Sequence, residues 1–442
     1  MARTKPHIIL IHCHDLGAHI SPYGIAEVDT PNLQKLAERG VLFENNFCTS
    51  PGCTPSRGSI FTGRYPHSIG LLGLAHHNPD KQDFCFSLNR EEKHLARFLD
   101  EYGYRTALFG VMHETSLPNI EDLGYHHVEF DQSNPGIVVA RRAGDYIRRH
   151  CDDRKPMFLS IGFFEPHRPF DFGEAQPDDS KGIYIPDYIP QDPEYPEQID
   201  AARKEFAALQ GAVREADRAV GIVLDTLDEY GLRDDSIVIF TADHGIAMPM
   251  AKCTLYDAGI RTALIVDGPA WNAEGGKRLP GLVSNVDIFP TIADGLELTV
   301  ADNVHGQSFL AYMQGGSEYR DAVFAEKTYH TIYDPMRCIR TKQYKYIINF
   351  ESGASYDCPT DIRHNPIYST SVGIFSRPRP PYELYDLKAD PLEQNNLADD
   401  KEYTDLSRHL CEGIRSWMQE TGDPLLQGPP RSPWYQQVID SL

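Results

Sequence analysis

Three short patterns carry residue types able to do chemistry. His12-Cys13-His14-Asp15 follows the apolar run His7–Ile11, Cys53-Thr54-Pro55-Ser56-Arg57 opens a helical stretch, and Thr241-Ala242-Asp243-His244-Gly245 follows the β-branched run that begins at Ser236. His14, Asp15, Asp243 and His244 are two carboxylates and two imidazoles at the carboxyl ends of two expected strands. If those strands are parallel neighbours, the two pairs reach a single divalent cation. Each pair alone is equally well read as capping the turn that follows it, but their placement on two matched strand ends favours the cation. Cys53 stands at a helix N-terminus, where unpaired N–H groups and the macrodipole stabilise an anion, so it could be a low-pKa thiolate. Arg57, one turn along, could hold an anionic group. A small buried cysteine in a tight turn satisfies the same spacing, and both readings stay open.

The elements that must position these residues follow from hydrophobic periodicity. His7–His12, Val41–Phe47, Tyr104–Gly110, Met157–Gly162 and Ser236–Thr241 read as strands. Helices are expected after Thr30-Pro31, with Thr30 as the N-cap and Gly40 as the stop, and over Glu91–Tyr102, Val138–His150 and Ile199–Tyr230. The alternation predicts an α/β fold with a central, mostly parallel sheet flanked by helices, in which ligands gather at the carboxyl ends of strands. After about residue 330 the texture changes to a hairpin, Met336–Thr341 with Tyr344–Phe350, then a Pro- and Tyr-rich stretch, then a helix near Tyr403–Gln419. The expected organisation is therefore a catalytic α/β unit over 1–330 and a small C-terminal antiparallel subdomain with a terminal helix over 331–442. Gly173–Gln198, rich in Pro, Asp and Tyr, reads as a long surface loop over a site.

Composition narrows the partners. The chain has 442 residues, 41% hydrophobic and 24% charged, an ordinary globular balance. Sixty-four acidic residues against 42 basic ones give a net charge of −22. That excess opposes phosphate neutralisation, so neither nucleic acid nor an anionic membrane is an expected partner. An anionic substrate needs positive charge gathered locally in a cleft. Nine cysteines without a Cys-x-x-Cys pair fit neither a disulfide framework nor a structural zinc site. The apolar run His7–Ile11 is short for a signal peptide, and no window approaches ~18 apolar residues. A reducing cytoplasm is the expected compartment.

The motifs together resemble a known family. Cys53-Thr54-Pro55-Ser56-Arg57 followed by Gly58-Ser59-Ile60-Phe61-Thr62-Gly63-Arg64 is similar to the signature of the formylglycine-dependent sulfatases of the alkaline phosphatase superfamily. Lys252–Arg261 resembles a second family stretch, and Tyr382–Leu387 with Asp390–Leu397 resembles its C-terminal signature. Tyr333-Asp334-Pro335-Met336-Arg337 and Gly245-Ile246-Ala247-Met248-Pro249 look most like the N-sulfoglucosamine sulfohydrolase (sulfamidase) branch. The resemblance implies an alkaline-phosphatase-like fold and hydrolysis of a sulfate ester or sulfamate, with a sulfated sugar as one candidate substrate. It also implies that a maturation enzyme oxidises Cys53 to formylglycine, and that His14, Asp15, Asp243 and His244 hold one divalent metal ion. Arg57 would then steady the formylglycine hydrate, Lys252 and His167 would hold sulfate or leaving-group oxygens, and His113 would deprotonate the hydrate.

Three positions depart from the family pattern. His14 stands where aspartate is usual, His244 where asparagine is common, and Val111 where a lysine usually helps to bind sulfate. Imidazole in place of hard oxygen weakens the case for calcium and brings in manganese, zinc or iron. Arg168, His76 and His77 are candidates to replace the missing lysine. The main alternative is a phosphonate monoester or phosphodiester hydrolase of the same superfamily. A binding protein with unmodified Cys53 is a third reading. Specificity is expected from Gly173–Gln198, the His76 region and residues 330–380, whose aromatics include Tyr184, Tyr188, Tyr329, Tyr333, Tyr368 and Phe375.

Overall fold

A computed structural model of the chain describes residues 5–75, 86–171, 175–351, 356–375 and 378–432, with Tyr435 and Ile439. His76 and His77 lie outside the described residues, as do residues 173–174 of the expected long loop, and so does the Phe375 side chain.

The apolar runs become strands because their residues are buried on both faces, as parallel strands covered by helices must be. Strands β1 (His7–Cys13), β2 (Val41–Phe47), β3 (Arg105–Gly110), β4 (His127–Phe130), β5 (Met157–Phe163), β6 (Ser236–Ala242), β7 (Arg261–Thr262), β8 (Leu264–Asp267) and β9 (Lys277–Ser284) form one nine-stranded sheet. Its parallel half runs β4-β3-β5-β1-β6, and Cys13 pairs with Ala242 at the carboxyl ends of β1 and β6. The far side is mixed: β8 is antiparallel to β6 and to β2, while β9 runs parallel to β2. Alternate β1 residues enter different cores. Ile9, Ile11 and Cys13 pack with one helical layer, Ile8 and Leu10 with the other.

Helices α1 (Pro31–Arg39), α2 (Cys53–Thr62), α3 (Leu95–Glu101), α4 (Gly136–His150) and α5 (Pro196–Glu229) flank the sheet. Two local expectations need correction. Thr30 does not cap α1, because its hydroxyl accepts from Ser21 N at 3.0 Å. Asp217 of α5 caps it instead, accepting from Leu33 N at 2.8 Å and Asn32 N at 3.1 Å, so two distant helices satisfy each other's polar groups. The helix expected over Glu91–Tyr102 starts only at Leu95, where the His94 imidazole accepts from Ala96 N at 3.1 Å and ends the preceding turn.

Strands β10 (Ala322–Tyr329), β11 (Tyr333–Thr341), β12 (Tyr344–Asn349) and β13 (Tyr382–Asp386) form a second, antiparallel sheet in sequence order. It opens at Ala322, ahead of the change in sequence texture. The terminal helix Thr404–Thr421 covers it, with Trp417 stacked on Phe324 at 5.0 Å between ring centroids. Backbone bonds from Glu326 N to Thr49 O (2.8 Å) and from Tyr329 N to Leu72 O (2.9 Å) tie β10 to the segments bracketing α2. Among the described residues no helix is long and apolar enough to cross a membrane, and the described cysteines are free thiols.

Candidate active site

Adjacent parallel strands bring the two dyads together. His14 and Asp15 leave β1, Asp243 and His244 leave β6, and Cys53 is the first residue of α2. One ligand-type atom from each of these five residues lies within 4.8 Å of every other, and all five residues are buried. Asp15 sits at φ 54°, a left-handed conformation that aspartate tolerates better than most side chains. Its amide donates to Asp243 Oδ1 at 2.9 Å, and His244 N donates to the same oxygen at 2.8 Å. The Asp243 carboxylate is thereby fixed by the backbone of both dyads.

The electrostatics are those of opposed charges held together in a buried cage. Burial opposes ionisation of Asp243 and Asp15, yet the neighbouring cationic groups hold both carboxyls below their usual range. Burial also opposes the imidazolium of His14, but Asp243, Cys53 and Asp15 push it up to about 9. The same carboxylates raise His244. The Cys53 thiol is held well below its ordinary value: burial works against the thiolate, and the charge of His14 with hydrogen bonding to His113 and His14 outweighs it.

A divalent cation fits this donor set. His14 Nδ1 lies 2.8 Å from Asp15 Oδ1 and 3.4 Å from Asp243 Oδ2. His244 Nε2 lies 3.0 Å from Asp15 Oδ1 and 3.8 Å from Asp243 Oδ1. His244 Nε2 is fully buried and makes no well-aligned hydrogen bond, whereas His14 Nδ1 hydrogen-bonds Asp15 Oδ1. A fully buried ring nitrogen without a well-aligned partner is costly unless something satisfies it, and a cation bound in place of the imidazolium protons would do so. Two nitrogens among the donors suit manganese or zinc better than calcium.

Arg57 is fully buried and its guanidinium is committed. Nε and Nη2 reach Asp243 Oδ2 at 3.2 and 3.1 Å, Nη1 meets His12 Nδ1, and Nη2 is 3.5 Å from the Cys13 carbonyl. His12 is braced from behind by Ser160 Oγ at 3.0 Å. Arg57 therefore orients a cage carboxylate. His113, just past β3, places Nδ1 3.4 Å from His14 Nε2 and hydrogen-bonds the Cys53 thiol. His167 packs on the same imidazole, with ring centroids 4.5 Å apart. Burial holds both His113 and His167 down at about 4, so each is neutral at ordinary pH and can accept a proton.

Lys252 is buried beside them and donates to Asp15 Oδ2 at 2.7 Å. Burial opposes its charge, but Asp15 and Asp361 keep it well above the ordinary lysine value. Every residue singled out from sequence for catalysis thus falls in one cluster. Asp361 was not singled out: it accepts from Lys252 at 2.9 Å, and no motif flags it because it arrives from the second sheet's long β12–β13 connection. His330, in the short turn between β10 and β11, lies 3.6 Å from where a Cβ on Gly52 would sit, and no motif flags it either.

One expectation fails. Arg168 does not replace the lysine missing at Val111, because it donates to the Ala247 carbonyl at 3.0 Å, pairs with Glu205 and stacks on Phe170 at 4.2 Å. Val111 itself is core. Tyr184 and Tyr188 of the long loop line a separate cavity of about 590 Å³ with His19, Tyr256, Tyr356 and Tyr385; none of the five cage residues lines it. Tyr329 and Tyr333 pack on each other at 4.9 Å between ring centroids, and Tyr368 packs against the main core.

Comparison with known proteins bears on the family and the fold. The Sulfatase family model matches residues 6–298, and the model described as N-sulphoglucosamine sulphohydrolase, C-terminal matches residues 245–372. The chain is 28% identical to the N-sulphoglucosamine sulphohydrolase of Homo sapiens, over 97% of this chain and 93% of that protein. A structure solved in complex with its substrate D-glucosamine-2-N,6-O-disulfate superposes with a TM-score of 0.73 at 18% identity, covering 96% of this chain and 99% of the other. The phosphonate monoester hydrolase of Agrobacterium radiobacter superposes at 0.70 with 21% identity, covering 94% and 96%. These neighbours share the alkaline-phosphatase-like fold expected from sequence.

Proposed function

Because the chain belongs to the sulfatase family, hydrolases of sulfate esters and sulfamates, we propose that it is a metal-dependent enzyme acting on an O- or N-sulfated sugar through a formylglycine made from Cys53. The observation that carries this reading is the buried five-residue cage with Cys53 at its edge. A divalent cation and a hydrated formylglycine bound there would supply a hydroxyl nucleophile for sulfur and a second, ionisable hydroxyl for the release of sulfate.

The chain's own residues set the stage for that chemistry. Asp15, Asp243, His14 and His244 would hold the cation, and Arg57 fixes the orientation of Asp243. His113, bonded to the residue-53 side chain, accepts the proton. Lys252 and His167 stand on the far side of Asp15, where they orient sulfate oxygens and the leaving group. Solvent is excluded because the cage residues are buried, which strengthens every charge interaction there. The sugar assignment draws on the named substrates of the similar proteins.

The test has two parts. Peptide mass analysis of protein from its native host should find residue 53 as formylglycine, and parallel kinetics should favour sulfate esters or sulfamates over phosphodiesters. An unmodified thiol at residue 53 in active enzyme sinks the proposed nucleophile. A dominant phosphodiester rate transfers the site to the phosphonate-hydrolase reading, which the loss of lysine at Val111 would suit equally well.

A further inference from the structure

Lys252 has two carboxylate partners, and only one belongs to the cation cage. Its Nζ lies 2.7 Å from Asp15 Oδ2 and 2.9 Å from Asp361 Oδ2, with His167 Nε2 at 3.4 Å. The side chain is 2% exposed, so the ammonium has no solvent to retreat into. Asp15, His167 and Asp361 have the spacing of a cation site of their own, but the Lys252 ammonium already bonds all three. We propose that Asp361 is a positioning residue: it draws Lys252 off Asp15 and leaves that carboxylate free for the divalent cation. This inference rests on the cation-dependent reading above.

The argument is one of competition. A cation entering the cage claims Asp15 and repels the ammonium beside it. Without Asp361, Lys252 would have either to keep its hold on Asp15 or to become an unpaired buried charge, and both outcomes oppose the incoming ion. With Asp361 in place, Lys252 exchanges one carboxylate for a share in another and stays where it can orient a substrate oxygen. The fold holds Asp361 in position for this. It sits in the one-turn helix Thr360–Arg363, whose Ile362 and preceding Cys358 are buried in the main core with residues of α5. The Asn365 side-chain amide also bonds the Asp361 carbonyl. Asp361 thus affects a cation that it does not touch.

A double-mutant cycle on the full chain tests this. Protein stripped with chelator is titrated with Mn²⁺ by calorimetry as wild type, Asp361→Asn, Lys252→Met and the double variant. Wild type should bind one ion, Asp361→Asn should bind it about tenfold more weakly, in the range seen when groups supporting metal ligands are removed, and Asp361→Glu should restore most of the affinity. In the Lys252→Met background, which should bind at least as tightly as wild type, Asp361→Asn should change affinity less than twofold. If wild type binds Mn²⁺ and Asp361→Asn matches it, the inference is wrong. An equal loss with and without Lys252 overturns it too, since Asp361 would then act as a ligand or a bulk charge. If Asp361→Asn does not fold, Asp361→Ser carries the same comparison. Wild type that takes up no divalent cation overturns the cation-dependent reading itself, and this inference with it.

Discussion

Replacing Asp243 by Asn probes the cage most directly, because the proposed function gives one carboxylate two tasks, holding its protein partners and holding the ion. Asp243 Oδ1 accepts from the amides of Asp15 and His244, and Oδ2 accepts from Arg57 Nε. An amide oxygen can keep the two backbone bonds, but the NH₂ group must then face a guanidinium that has no solvent access. Removing one partner of a buried ion pair costs about 3–5 kcal/mol. Because the backbone bonds survive, the lower end applies, about 3 kcal/mol. A chain of 442 residues unfolds with an entropy near 0.9 kcal/mol/K at ~2.1 cal/mol/K per residue, so this loss lowers Tm by about 3 °C. The ion provides the second readout. At a hundred times its Kd, a ligand that binds only the folded state adds about 2.7 kcal/mol, or again about 3 °C. Scanning calorimetry in chelator and in excess Mn²⁺ should show wild type rising by that amount and Asp243→Asn neither rising nor starting as high. If the variant keeps the wild-type response to Mn²⁺, the cage is not the ion's site and the reasoning from paired strand ends is refuted.

Other consequences follow from single contacts. Cys53→Ala should fold with wild-type Mn²⁺ affinity within about tenfold, since four donors remain, yet show no sulfatase turnover above background; measurable turnover would place the nucleophile elsewhere. Asp217→Ala strands the α1 amides of Asn32 and Leu33 and should cost about 2–3 kcal/mol by denaturant unfolding, whereas Asp217→Asn, still an acceptor, should cost less than half of that. Glu165 is buried, and burial lifts its carboxyl from 4.5 to about 7. The native state therefore holds a proton that the unfolded chain has lost, and this group's contribution to stability falls as pH rises from about 4.5 through 7. Glu165→Gln removes that fall, worth about 3 kcal/mol at 1.36 kcal/mol per unit; Tm measured against pH should show the variant gaining on wild type between pH 5 and 8, and parallel curves would contradict the buried-carboxyl account.

How much of this was legible from sequence depends on where each contact is encoded. His14-Asp15 and Asp243-His244 could be read because each dyad ends an apolar run, and a parallel sheet places strand ends side by side without any loop having to be specified. Cys53 and Arg57 were legible in position, since Pro55 and Gly63 punctuate α2, but the role of Arg57 was not: its partner Asp243 is 186 residues away, and only the packed fold aims the guanidinium at a carboxylate instead of at a substrate. The cap of α1 was misread for a related reason. Thr30 has the right local chemistry, but a fully ionisable acceptor on α5 lies within reach of the same amides, and tertiary contact overrides local preference. Asp361 lies at the limit of such reading. It belongs to an irregular stretch with no period and no motif, and its meaning arises only when the β12–β13 connection packs against α5 and delivers a carboxylate to the lysine that the family stretch supplies. The donors proposed for the ion are thus written in strand-end patterns, while the groups proposed to tune them are written in the packing between the two sheets. That separation predicts where sequence reading of such sites should fail: at charged residues in connections, whose partners are chosen by the fold.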